Sequence, residues 1–397
     1  MKNGIALCCV LFSIILLLTQ CVKENGKTDL LSYPNVAAKF GTNINPSALA
    51  NYANQGKPSY IVRDNTANNP ITNAKATLGR VLFYDKALSV DNTISCANCH
   101  KQSLAFGDDA AASTGVFSGS TARHAMRLVN ARFSDETSFF WDETAGTLEE
   151  QTTQPIQDHL EMGFSGLGGR ENIVALLAKL QSQPYYNELF KFVFNDQSVT
   201  VPRLQECLAQ FVRSIQSFDS KFDASRGQVT NDNQPFPNFT AQENLGKNLF
   251  LSPPIFNGTG NRIGGGLGCG GCHRAPDFSV DPNMGNNGIT GKLNAAGVDL
   301  TITRSPTLRD LTNPMGQLNG PLMHTGGISS IESAIRHYDK INIAPGNGQD
   351  LDPRLRPNGF GQQLHLTDNE INAVVAFINT LSGNNVYTDI KWGNPFL

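Results

Sequence analysis

The sequence predicts a mainly α-helical protein of two similar domains, with long loops and little sheet. Three observations carry this. A short pattern occurs twice, as Leu78-Gly79-Arg80-Val81-Leu82-Phe83 and as Leu245-Gly246-Lys247-Asn248-Leu249-Phe250. Apolar residues recur at helical spacing behind capping residues, while strand-like alternation is scarce. Gly (37 residues) and Pro (20) are frequent enough to leave much of the chain to loops. With 397 residues, 40% of them hydrophobic and 16% charged, the chain is globular and has room for two or three domains. A net charge of −3 removes the electrostatic reason to bind nucleic acid.

Along the chain, Lys2 precedes an apolar run from Ile5 to Leu18, the length of a signal-peptide core and short for a membrane span. Cys21 follows, placed like the acylated cysteine of a bacterial lipoprotein, although Gln20 is larger than the residue usual before one. Residues 1–20 are read as a signal peptide and 21–70 as a linker. Glu171 to Gln181 and Val201 to Phe218 have helical periodicity, the second with Pro202 near its start. Thr240 with Glu243, and Thr367 with Glu370, form capping-box patterns before helices expected to reach Leu251 and Leu381, the latter closed by Gly383. The Pro/Asn-rich stretch 228–239 separates a first domain, 71–235, from a second, 236–397. No Gly-Lys-Ser/Thr follows the glycines at 264–271, so they make no P-loop; they suit backbone packed close to a cofactor.

The cysteines carry the chemistry. Of eight, Cys8 and Cys9 lie in the leader, Cys21 ends it, and Cys207 falls on an apolar helical face with Leu204, Leu208 and Phe211, as a buried thiol would. The other four form Cys96-Ala97-Asn98-Cys99-His100 and Cys269-Gly270-Gly271-Cys272-His273. C-x-x-C-H is the attachment pattern of c-type haem: two thiols take the vinyl groups, and the adjacent histidine meets the iron. A zinc site made of the four thiols would leave both histidines unexplained. The expected architecture is therefore two cytochrome c-like domains, each with one covalently bound c-type haem. The repeat continues beyond the motifs. Arg123-His124-Ala125-Met126 is echoed by Arg304-Ser305-Pro306-Thr307. Trp141-Asp142 is echoed by His324-Thr325, six residues before Leu148-Glu149 and Ile331-Glu332.

These features resemble the bacterial di-haem cytochrome c peroxidase family, which includes the methylamine-utilisation (MauG-type) enzymes. Trp141-Asp142, Leu148-Glu149-Glu150-Gln151, Pro155-Ile156-Gln157 and Glu161-Met162 are similar in order and spacing to that family's distal segment, and Pro321-Leu322-Met323-His324-Thr325-Gly326 to its second-domain turn. The resemblance implies that the N-terminal haem, on His100, reacts with peroxide and that the C-terminal haem, on His273, supplies electrons. It makes Glu161 the distal acid that moves a proton between peroxide oxygens, with Gln151 beside it. It makes Trp141 a relay between the haems. Without the resemblance, Glu161 reads as a surface carboxylate and Trp141 as a core aromatic.

Two departures bear on mechanism. The family's distal histidine, which blocks the first iron in many members, falls near Val116, and no histidine lies between His100 and His124. This implies an open iron in the oxidised protein, with His124 as the competing blocking ligand. The second iron's distal methionine falls at Tyr338, the residue type of the MauG-type branch, with His337, Met323 and Met315 as weaker candidates. The favoured reading is an exported, lipid-anchored peroxidase that reduces hydrogen peroxide with electrons from a c-type cytochrome or cupredoxin. A MauG-type oxidase working through a high-valent state on a protein or small molecule is the second reading. A non-catalytic carrier or sensor is the third. The resemblance also allows calcium between the domains, although His124 replaces one of its side-chain ligands, and a homodimer.

Overall fold

The computed structural model describes residues 32–135, 137–280, 282–343 and 350–397. The leader and the lipidation expected at Cys21 lie outside them. Among the described residues, no helix is long and apolar enough to cross a membrane.

Helices α1 (Pro34–Phe40), α2 (Asn73–Tyr84), α3 (Cys96–Cys99), α4 (Leu148–Gln157), α5 (Ile173–Gln181), α6 (Pro184–Phe194) and α7 (Val201–Ser214) build the first half. The side chain of Thr72 caps α2, and that of Thr200 caps α7. These two helices cross at Gly79, where an added Cβ would lie 2.0 Å from the Cys207 carbonyl oxygen. Only glycine lets the backbones come that close. Leu78, Leu82, Phe83, Leu204, Leu208 and Phe211 fill the space beside the crossing, and Cys207 is buried there as a free thiol.

The second half contains α8 (Lys221–Arg226), α9 (Ala241–Leu251), α10 (Ile331–Asp339) and α11 (Asp368–Asn379). Reciprocal capping boxes start α9, at Thr240 and Glu243, and α11, at Thr367 and Glu370. These helices cross at Gly246, where an added Cβ would lie 1.8 Å from the Ala373 carbonyl oxygen. The sequence repeat is thus a repeated helix crossing. Phe222, Phe236, Phe250, Phe278 and Phe377 form the adjoining core.

Two helix ends differ from the sequence pattern. Helix α7 stops at Ser214 because Asn130 takes over the following chain: its N–H donates to the Ile215 carbonyl, and its side chain bonds Ser217 through both N–H and C=O. Helix α11 ends at Asn379, with Thr380 as its cap. Gly383 serves another purpose: its N–H donates to Asp310 Oδ1, and an added Cβ would lie 2.2 Å from Asp219 Oδ1.

Sheet is confined, among the described residues, to three two-stranded antiparallel hairpins. They are β1 (Pro254–Phe256) with β2 (Arg262–Gly265), β3 (His273–Arg274) with β4 (Ser279–Val280), and β5 (Gly291–Lys292) with β6 (Ala295–Val298). The C-terminal segment returns to the first half. Val386 and Trp392 join its core, and Trp392 Nε1 donates to the Ser214 carbonyl at the end of α7. The phenol of Tyr84 donates to the Trp392 carbonyl, and Arg80 Nε to the Gly393 carbonyl.

Candidate haem sites

Each C-x-x-C-H motif opens onto a cavity. The first, about 660 Å³, is lined by Cys96, Cys99, His100, Gln151, Glu161 and Trp141, together with Phe83, Leu208 and Val212 from the α2–α7 pair. The second, about 620 Å³, is lined by Cys269, Cys272, His273 and Tyr338, with Phe250 from α9 and Val374 and Ile378 from α11. Both volumes are in the range of sites that engulf a whole cofactor. None of the four thiols is in a disulfide. Nδ1–H of His100 donates to the Phe106 carbonyl at 3.2 Å, a tautomer that leaves Nε2 with a lone pair for a metal. Nδ1 of His273 is buried without a hydrogen-bond partner. Two thiols and a neighbouring imidazole on each cavity fit a c-type haem.

Local backbone bonds place Glu161. Asp158 Oδ1 accepts from the N–H groups of Leu160 (2.7 Å) and Glu161 (3.0 Å), an Asx turn just after α4. The Glu161 carbonyl accepts from Val116 N–H, and the Met162 N–H donates to the Pro155 carbonyl. Gly115 and Gly119 press against the Leu160 carbonyl, where added Cβ atoms would lie 1.8 and 2.4 Å away. Burial, and secondarily Asp158, push the Glu161 carboxyl up to about 7. No donor among the described residues bonds that carboxyl or the Gln151 amide. Val116, the position expected of a blocking histidine, is buried and does not line the cavity.

Helix α10 presents Ile331, Ala334, Ile335 and Tyr338 to the second cavity, the spacing of one helical face. His337 points elsewhere: its Nε2 bonds the Asn287 carbonyl at 2.9 Å, and it does not line the cavity. Asn287 Nδ2 donates to Tyr338 Oη (3.3 Å) and to Met323 Sδ (3.5 Å), both on the cavity wall. Burial raises the Tyr338 phenol above its ordinary range. Met315 lies on the surface, 78% exposed, away from both cavities. The glycines of the second motif divide their work. Gly270 and Gly271 line the cavity, whereas Gly265 and Gly266 press on the backbone of residues 249–255.

Trp141 lines both cavities. Its indole N–H donates to the His124 carbonyl (2.7 Å), and its ring meets His324 edge-on at 6.1 Å. The His124 N–H donates to the His324 carbonyl. Trp141 and His324 are counterparts in the repeat, so equivalent positions meet at the seam between the halves. Arg123 braces this seam through ion pairs to Asp142 and Asp299. His124 is buried, with Nδ1 bonded to the Ala110 carbonyl at 2.9 Å, and lines both cavities. Among the described residues, no group of three His, Cys, Asp or Glu side chains gathers to hold a metal ion.

The structure thus gathers Cys96, Cys99, His100, Gln151 and Glu161 around one cavity and Cys269, Cys272, His273 and Tyr338 around the other, with Trp141 shared. The sequence reading did not single out Asp158 or Asn287. Asp158 carries a sequence signal, an Asp two and three residues before the N–H groups it caps. Asn287 carries none, because it reaches Tyr338 only through the fold.

The fold and the two donor sets define a class, the mainly helical proteins built around paired C-x-x-C-H sites. The chain is similar to the di-haem cytochrome c peroxidases: residues 73–231 match the family model described as "Di-haem cytochrome c peroxidase". It is 29% identical over 324 residues to the methylamine utilization protein MauG of Methylophilus methylotrophus, covering 80% of this chain and 84% of that protein. It is 29% identical over 339 residues to the cytochrome c551 peroxidase of Nitrosomonas europaea, covering 80% and 85%. A MauG-like protein associated with microbial copper homeostasis shares the fold, with a TM-score of 0.64 and 23% identity over 86% of this chain and 99% of that one. The family therefore includes both peroxidases and MauG-type proteins.

Proposed function

We propose that this chain is a peroxidase that converts hydrogen peroxide, two electrons and two protons into two waters. The observation that best supports this is Glu161: a half-buried carboxyl on the first cavity, free of hydrogen bonds among the described residues and pushed up to about 7. In this reading Cys96, Cys99 and His100 hold one haem, and Cys269, Cys272, His273 and Tyr338 the other. When bound, the haems supply iron and relay electrons. The Glu161 carboxylate takes the proton from one peroxide oxygen and returns it to the other, which leaves as water. The Gln151 amide orients the peroxide by hydrogen bonding. Trp141, on both walls, gives electrons a path across the seam. A c-type cytochrome or cupredoxin is the donor, and the protein is exported and anchored by a lipid on Cys21. Any calcium at the seam would be held mainly by backbone carbonyls.

The placement of Tyr338 on the second cavity supports a second reading, MauG-type oxidation of another substrate. One experiment tests the first reading: the oxidised holoprotein is mixed with hydrogen peroxide in a stopped-flow, without reductant. A rapid change in the haem bands, slowed by orders of magnitude in Glu161→Gln, is expected. No change until one haem is reduced would mean that a ligand blocks the first iron and would point to His124. No change in either state would remove the peroxidase reading.

A further inference from the structure

Arginines at the seam and in the cores usually have oxygen acceptors. Arg123 is shared by Asp142 and Asp299, Arg213 is paired with Glu149, and Arg309 is paired with Asp223. Arg127 differs. It lines both cavities, its Nε is buried without a hydrogen-bond partner, and its guanidinium enters no hydrogen bond or ion pair among the described residues. A desolvated cation without an anion is costly. The carboxylate that attracts it, Asp310, gives Oδ1 to the Gly383 N–H at 2.8 Å, leaves Oδ2 buried without a partner, and makes no ion pair with Arg127 among the described residues. Carboxylates on the cavity linings are engaged elsewhere: Asp142 by Arg123, Asp352 by Arg354, and Asp158 by two backbone N–H groups. Glu161 is influenced by Asp158 and by no arginine.

We propose that Arg127 binds a haem carboxylate at the seam between the two cavities and thereby raises the reduction potential of that haem. The inference rests on the di-haem reading above. A porphyrin of the c type carries two carboxylates, and the planar guanidinium fork matches a carboxylate with two parallel donors. Its position on both walls puts this charge beside the electron path that contains Trp141. A positive charge on a ring carboxylate offsets the negative charge that accompanies reduction, so it favours the ferrous form.

The test uses full-length holoprotein: wild type, Arg127→Gln and Arg127→Lys. Haem is counted as the pyridine haemochrome, potentials are titrated spectroelectrochemically, and the propionate bending band is read by resonance Raman. Wild type should carry two c-type haems; if it carries none, the di-haem reading fails, whatever Arg127 does. Arg127→Gln should keep both haems and move one ferric–ferrous ratio about tenfold toward ferric, or 59 mV for a one-electron couple, while shifting the propionate band. Arg127→Lys keeps the charge, so its potential should stay near wild type while its band moves. Two haems with unchanged potentials and an unchanged band in Arg127→Gln overturn the inference. If Arg127→Gln cannot be isolated with haem, the Arg127→Lys band decides: a shift supports the contact, and an unshifted band overturns it.

Discussion

In the first half a carboxyl shares the cavity with the C-x-x-C-H motif; in the second half a phenol does. Both halves hang their cavities on the same scaffold, a helix pair crossing at a glycine, Gly79 in one and Gly246 in the other. The distal walls come from different devices. Glu161 sits on an Asx turn bonded to the 113–121 loop, whereas Tyr338 is one residue of an amphipathic helix face. Even the motif histidines differ, since His100 is tethered to Phe106 and His273 Nδ1 has no hydrogen-bond partner among the described residues. A repeated scaffold can thus keep the place of a cavity while its far wall diverges from a carboxyl to a phenol.

The largest break in this comparison comes from removing one attachment site. Cys96→Ser with Cys99→Ser should leave one haem per chain and abolish the response to peroxide. Cys269→Ser with Cys272→Ser should also leave one haem, but the oxidised protein should still respond. Haem counting and stopped-flow mixing read both. Next comes Glu161→Gln, which should slow the peroxide reaction by roughly 10²–10⁴-fold. In wild type the deprotonated carboxylate is the acceptor, so the rate should rise with pH through about 7, and the variant should lose that rise.

Tyr338→Phe should raise the potential of the second haem by an amount equal to about an order of magnitude in the ferric–ferrous ratio, because a phenolate oxygen stabilises ferric iron. His337→Gln, off the cavity, should leave that potential unchanged; a shift there instead would reassign the ligand. The smallest effect tests the shared scaffold. Gly79→Ala and Gly246→Ala each force a Cβ into a carbonyl and should each cost about 3 kcal/mol in urea or thermal unfolding. A marked inequality would mean that the two crossings do not carry equal loads.

Much of this architecture was legible in local signals. Thr240–Glu243 and Thr367–Glu370 announced α9 and α11, the C-x-x-C-H motifs announced the cavities, and the Leu-Gly-Arg/Lys repeat announced two similar halves, though not the helix crossings it marks. What stayed hidden depends on partners distant in sequence. The end of α7 is set by Asn130, and Gly383 answers to Asp219 and Asp310 rather than to the helix before it. Arg127 has no periodic signature, because its peculiarity is the absence of a partner among the described residues. At the second cavity, counting from His324 put Tyr338 ahead of His337, and α10 turns Tyr338 to the cavity wall and His337 to the Asn287 carbonyl.

The return of the C-terminal segment has a consequence for biosynthesis. A chain made from its N-terminus outward has α2 and α7 in hand long before residue 392 exists. Until then the indole that bonds the Ser214 carbonyl is missing, and the pocket it fills among the first-half residues stays open. The first half is therefore the last to be sealed, and truncation before Val386 should leave it unfinished although every residue of its own motif is present.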